Sequence, residues 1–290
     1  MTFYGLGSRA AGARTPGSLV RRFGAWPAFA VLLLFAGLPV GALVAEVFLA
    51  EAGLLARMWK DPLFLAALRN TIFLGVATAT LSLLAGAALA RSVARLSPGR
   101  RQWMLTLLGV PLTFSGLVIA YGFILVFGRA GFVTLLLAEA GADPAVVGKW
   151  IYTAGGLAFA YAYYLIPRVA LIMVPLFANL DRRPFFAALT LGAPPWRAWL
   201  DTDLRELGPS FISVWCLICA VAMGTYGTAL ALAGSQVNIL PLMVFLKISD
   251  GGSDFALASV LSLVLLGLCM LVLTLGDLIT RGRDELVASH

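Results

Sequence analysis

Charge is scarce in this 290-residue chain: Asp, Glu, Lys and Arg make up 12% of it, against about a quarter in ordinary soluble domains. With 61% hydrophobic residues and a mean hydropathy of +0.94, that scarcity excludes an ordinary water-soluble domain. Histidine is scarcer still. The one residue, His290, leaves nothing from which to build a histidine-dependent triad or a histidine metal site within these residues. Cysteine occurs three times, at Cys216, Cys219 and Cys269. Cys216-Leu-Ile-Cys219 has the spacing of redox and zinc pairs. It lies in an apolar run with no second pair, so the expected role is that of small packing side chains. No G-x-x-x-x-G-K-[ST] loop is present, which removes that route to ATP. Gly5-Leu-Gly7 followed by Ala10 echoes a dinucleotide fingerprint, but no strand precedes it. Paired carboxylates inside apolar runs, as ion-coupled carriers use, are also missing. Glu46 and Asp277 come nearest, and both sit close to the ends of runs.

What the chain has instead is long apolar runs, at 26–49, 71–90, 103–127, 150–180, 211–232 and 255–279. Runs of roughly 20 residues cross about 30 Å of hydrocarbon as helix, whereas a β-barrel needs short alternating segments. The fold class expected is therefore an all-α integral membrane protein with six transmembrane helices. It divides into an N-terminal tail (1–24), one membrane domain (25–280) and a C-terminal tail (281–290). The first run follows a basic tail, as a signal peptide would, but it is too long for one and reads as an uncleaved helix. Residues 51–69 read as amphipathic with Trp59 at an interface, and Asn70 as the cap of the second span. Pro111 is expected to kink the third span. Short external helices are expected at 132–140 and 238–248, and a turn at 250–253.

The net charge of +7 would suit nucleic acid, but its placement argues otherwise. Fourteen of the 21 Lys and Arg residues fall in the two tails and in the 91–101 and 181–209 loops, six fall on the other side, and Arg168 lies within a span. By the positive-inside rule both termini and those loops are cytoplasmic, and no nucleic-acid partner is expected.

Residues 181–210, DRRPFFAALTLGAPPWRAWLDTDLRELGPS, form the longest polar interval among the spans. Residues 185–191 read as one short helix ended by Gly192, and 196–204 as a second, which Gly208-Pro209 stops before the fifth span. Small side chains at the bend make a knob that a groove on another protein can take in closely. The segment resembles the coupling loop of binding-protein-dependent ABC importer permeases. That loop reads Glu-Ala-Ala, three residues, Gly, nine residues, then Ile-x-Leu-Pro. Ala187-Ala188, Gly192 and Leu204 match it, while Phe186 replaces the acid and Arg205 the proline. Asn70-Thr71, Pro111, and the 227–234 and 238–241 runs extend the likeness over most of the chain, closest to the spermidine/putrescine, ferric-iron and phosphonate group.

The resemblance implies the type I importer permease fold in a bacterial inner membrane. It implies an ATPase dimer that holds ATP and Mg²⁺, with no cofactor in this chain and no catalytic residue. It also implies a periplasmic solute-binding protein and a second permease subunit, a heterodimer being preferred. Contacts to the ATPase fall to Phe186, Ala187, Ala188, Leu191, Gly192, Ala193, Trp196, Arg197 and Leu204. The solute implied is polyamine-like, with ferric iron or a phosphonate as alternatives. Polar residues inside spans tend to face the bundle interior. The path is accordingly assigned to Ser115, Tyr121, Tyr161, Tyr164, Arg168, Thr225, Tyr226 and Thr228, where Arg168 suits an anion better than a cation. The alternative reading is a stand-alone secondary transporter or channel driven by an ion gradient.

Overall fold

The computed structural model describes residues 25–49, 53–232, 237–249 and 254–288. Those residues form helices and connecting turns, without strands. In chain order the helices are α1 (Ala25–Leu49), α2 (Leu54–Lys60), α3 (Pro62–Ala94), α4 (Pro98–Thr113), α5 (Gly116–Phe127), α6 (Phe132–Glu139), α7 (Pro144–Val147), α8 (Ala154–Asn179), α9 (Arg183–Thr190), α10 (Pro195–Asp201), α11 (Asp203–Gly224), α12 (Gly227–Leu232), α13 (Leu240–Ser249) and α14 (Phe255–Ala288). Among the described residues five stretches are long and apolar enough to cross a membrane, or six if the bent pair Leu33–Leu49 and Leu54–Lys60 counts as one span. The N-terminal tail and the turn at 250–253 lie outside the described residues.

Several boundaries differ from the sequence expectation, each for a local reason. The second span does not start at Asn70. Asp61 caps α3, its carboxylate accepting from the Leu63 amide at 2.9 Å, and Pro62 fits the first helical position. Asn70 lies inside α3, where its side-chain amide donates to the Asn238 carbonyl at 3.0 Å. The third span is not one kinked helix. Pro111 stays within α4, and the break falls at residues 114–115, where Ser115 caps α5. The apolar length there runs over Gly116–Glu139. The second short helix of the knob ends at Asp201, and α11 runs through Gly208-Pro209 without stopping. Thr225 and Tyr226 divide the expected fifth span into α11 and α12.

Small residues let the central helices approach closely. A Cβ at Gly86 of α3 would stand 2.6 Å from Val169 Cβ and 2.9 Å from the Ile166 carbonyl of α8. A Cβ at Gly75 would meet the Met223 side chain of α11, and one at Gly276 of α14 would meet Cys216. Cys216 and Cys219 are free and buried in this packing. The main core is built on α3, α8 and α11, with Tyr161, Leu165, Met173 and Ile218 completely enclosed. A smaller core of Met58, Phe64, Leu240, Val260 and Leu261 seats α13 against α3 and α14.

Candidate coupling surface and translocation path

The knob is built by one glycine turn. At the end of α9 the Ala193 amide donates to Ala188 O and the Gly192 amide to Leu189 O, each at 3.0 Å. This is the paired closure of a Schellman end, and Gly192 takes the left-handed conformation it requires, with φ +86°. Proline then stops the chain from continuing as helix, and Pro195 starts α10. The consequence is a hairpin of two short helices whose apolar side chains point outward. Leu191 is 88% exposed, Trp196 59% and Phe186 56%. Ala187, Gly192 and Arg197 are exposed as well, Ala188 and Ala193 half-buried. Arg197 covers its neighbour, its guanidinium 5.0 Å from the Trp196 ring. Leu204 is placed elsewhere than expected. It belongs to α11 and is half-buried.

The knob lies at the bundle end where α3 finishes, since Arg91 in the last turn of α3 sits 5.1 Å from the Trp199 ring of α10. The 91–101 and 181–209 loops thus meet, as a shared membrane side requires.

Inside the bundle, α5 and α12 both begin at interruptions, and the interruptions touch. Thr228 Oγ1 donates to Gly116 O at 3.0 Å, and Tyr161 OH donates to Thr225 O at 2.7 Å. Backbone groups released by a broken helix need partners in a membrane; Tyr161 supplies one to the Thr225 carbonyl at the end of α11, while Thr228 ties the first turn of α5 to α12. Tyr161 and Thr228 are fully buried. The Tyr164 hydroxyl is buried beside Thr225 and Thr228 but outside hydrogen-bond geometry. Of the predicted path residues, Tyr161, Tyr164, Thr225 and Thr228 therefore come together, with Ser115 adjoining through Gly116. Tyr121 stands apart on α5 at 55% exposure, and Tyr226 turns toward Phe245 of α13, ring centroids 5.3 Å apart. Arg168 lies one turn beyond Tyr164 on α8, half-buried, with no ion pair among the described residues.

Sequence reasoning missed Asp203, which is 2% exposed, and its partner Arg182. The signal was an acid at the first position of a membrane helix, three residues before a second acid, and it reads as an ordinary solvated helix start.

Bacterial alginate ABC transporter structures share this architecture. A chain of the transporter solved in complex with an alginate pentasaccharide-bound periplasmic protein superposes with a TM-score of 0.72 at 13% identity, over 90% of this chain and 96% of that one. The fold is thus shared with a chain of that transporter. Curated relatives carry permease names. The sulfate transport system permease protein CysW of Synechocystis sp. is 25% identical over 83% of this chain and 87% of its own length. Chloroplastic sulfate permease 2 of Chlamydomonas reinhardtii is 28% identical over 71% of this chain and 56% of its own. The molybdenum transport system permease protein ModB of Mycobacterium tuberculosis is 28% identical over 68% and 71%. The matched region spans 56% and 61% of the chloroplastic permease and of the Synechococcus elongatus CysW. No protein-family model matches the chain. The relatives named here are sulfate and molybdenum permeases, so the expected affinity to polyamine, ferric-iron and phosphonate permeases lacks support.

Proposed function

We propose that the chain is the membrane-spanning permease subunit of an ATP-driven importer, and that its solute is a small oxyanion of the sulfate or molybdate kind. The observation that carries the first part is the knob. Phe186, Leu191 and Trp196 hold large apolar surface in a polar loop at the end of the bundle, and such surface marks a protein partner. No phosphate-binding loop occurs in the sequence, so the partner supplies the nucleotide chemistry. An ATPase dimer that closes on ATP would carry the knob with it, and α8 and α11, which flank the knob, would carry the change to the broken helices α5 and α12. A second permease chain completes the path, a heterodimer being preferred, and a periplasmic binding protein delivers the solute. Both termini lie on the ATPase side of a bacterial inner membrane.

An oxyanion suits the interior better than a polyamine does. Arg168 provides positive charge beside the hydroxyl cluster, and α8 contains no carboxylate. The relatives' sulfate and molybdenum names support the same class.

The test is a pull-down of tagged chain from its host membranes, comparing the natural chain with Leu191→Asp. Leu191 is nearly free of contacts, so the fold stays intact while the docking surface gains a charge. The expected result is an ATPase subunit that accompanies the natural chain and is lost from the variant. ATP-dependent uptake of radiolabelled sulfate or molybdate that spermidine does not inhibit supports the oxyanion. A natural chain that purifies without an ATPase and moves solute on an ion gradient alone would replace this reading with a secondary transporter.

A further inference from the structure

A carboxylate is buried where the knob joins the membrane helices, and nothing in the docking surface uses it. Asp203 opens α11 with its side chain 2% exposed, and Arg182 Nη2 stands 3.7 Å from its Oδ2. Thr202 Oγ1, which donates to Ala198 O at 2.7 Å, lies 3.2 Å from Asp203 Oδ1. Arg91, in the last turn of α3, lies near enough to be repelled by Arg182 and, more weakly, attracted by Asp203. Each arginine also stacks on one helix of the knob: Arg182 lies 5.9 Å from the Phe185 ring on α9, and Arg91 lies 5.1 Å from the Trp199 ring on α10. Flat guanidinium groups can serve a ring face and a carboxylate at once, with a fixed geometry that the lysine ammonium lacks.

The place matters because the helix is interrupted there. Between α10 and α11 the chain turns at Thr202, with φ −110° and ψ −75°, outside regular helix. A push on the knob would be lost as rotation about that residue unless something crosses the turn. We propose that Asp203 and Arg182 form an ionic strut across that turn, which makes the knob and helix α11 move as one body. A buried charge must be paired to be tolerated, so the strut resists being pulled open, as a lever requires. Asp203 is then a positioning residue, acting through Arg182 and touching neither ATPase nor solute. The strut rests on the importer reading above.

The experiment uses the complex purified from host membranes. The tagged chain has its three cysteines replaced by alanine and carries Ser115→Cys, at the break before α5 that adjoins the hydroxyl cluster. Labelling of that cysteine by a membrane-impermeant maleimide is read with and without ATP and Mg²⁺. The expected result is an ATP response of at least about fivefold, in the range of ordinary coupling between sites. In Asp203→Asn the ATPase still co-purifies and the response vanishes. The exchange Asp203→Arg with Arg182→Asp restores most of it, and Arg183→Gln, in the exposed pair next door, leaves it unchanged. A full response in Asp203→Asn overturns the strut, as does an exchange that folds without restoring the response. So does loss of the ATPase from a monodisperse Asp203→Asn chain, because Asp203 would then serve docking. A parent chain that brings down no ATPase overturns the importer reading itself, and the strut with it.

Discussion

The knob and the centre of the bundle have exchanged polarity. In the knob, a polar loop holds Phe186, Leu191 and Trp196 outward. In the centre, apolar helices hold Tyr161, Tyr164, Thr225 and Thr228 inward, with Tyr161 and Thr228 completely enclosed. The difference lies in who finishes the contacts. The interior completes most of its own: the carbonyls of Thr225 and Gly116 accept from Tyr161 and Thr228, and of the four side chains only Tyr164 leaves its hydroxyl without a partner. The knob leaves its apolar surface open, which for a membrane subunit is the mark of a partner. Helix breaks follow the same logic. Pro111, Pro167, Pro175 and Pro209 all lie inside helices, whereas the chain leaves helix at Ser115 and Thr225. At Thr225 a side chain from another helix satisfies the freed carbonyl, at Ser115 the break is capped by the serine itself, and proline alone does not decide either.

If this contrast holds, changes in the knob should cost association but not stability, and changes in the centre the reverse. The largest effect is expected from Trp196→Ala combined with Leu191→Ala. Exposed aromatic anchors at interfaces are worth about 2 kcal/mol or more, so ATPase retention should fall by at least about tenfold with the melting temperature of the isolated chain unchanged. A melting temperature that drops would show that the knob packs on its own chain. Next comes Gly86→Leu. The added side chain must displace Val169 and the Ile166 carbonyl, and overpacking of this kind costs about 1–3 kcal/mol. Gly75→Ala is the milder companion, because its neighbour is the flexible Met223 side chain. Thermal unfolding in detergent should rank them in that order. Thr228→Val keeps the shape of the buried side chain and removes the bond to Gly116 O. Interhelical hydrogen bonds in membranes average about 0.6 kcal/mol, so a small but resolved loss of stability is expected, with the ATPase retained.

How much of this could be read in advance depended on how local the cause was. Gly192 announced its turn, because a glycine after a short amphipathic segment is the ordinary way to end a helix. The exposed apolar residues of the knob were named from its motif. The clustering of Tyr161, Tyr164, Thr225 and Thr228 followed from the cost of polar groups in lipid. Missed features were decided at a distance. Asn70 looked like a cap, but Asp61 with Pro62 was the stronger start signal, and Asn70 was committed to Asn238, 168 positions away. The break falls at Ser115 rather than at Pro111, beside a bond from Thr228 to Gly116 O that spans 112 positions. Asp203 looked solvated because nothing in its neighbourhood shows that Arg182 and the end of α3 will close over it.

The smallest effect should come from the other ion pair of the same loop, and it separates distance from burial. Arg183 Nε stands 3.9 Å from Asp181 Oδ1, while Arg182 stands 3.7 Å from Asp203. By length the pairs are nearly equal. By exposure they are opposites, at 93% and 60% for the first and 39% and 2% for the second. Water screens the first pair, and exposed pairs contribute about 0–1 kcal/mol. Arg183→Gln should therefore leave the melting temperature within error at any salt concentration. Removal of Arg182 leaves the Asp203 carboxylate buried and short of a partner, a cost that salt cannot relieve. Equal losses from Arg183→Gln and Arg182→Gln would mean that the carboxylate of Asp203 is solvated after all. The strut would then have no more hold on the knob than any surface pair.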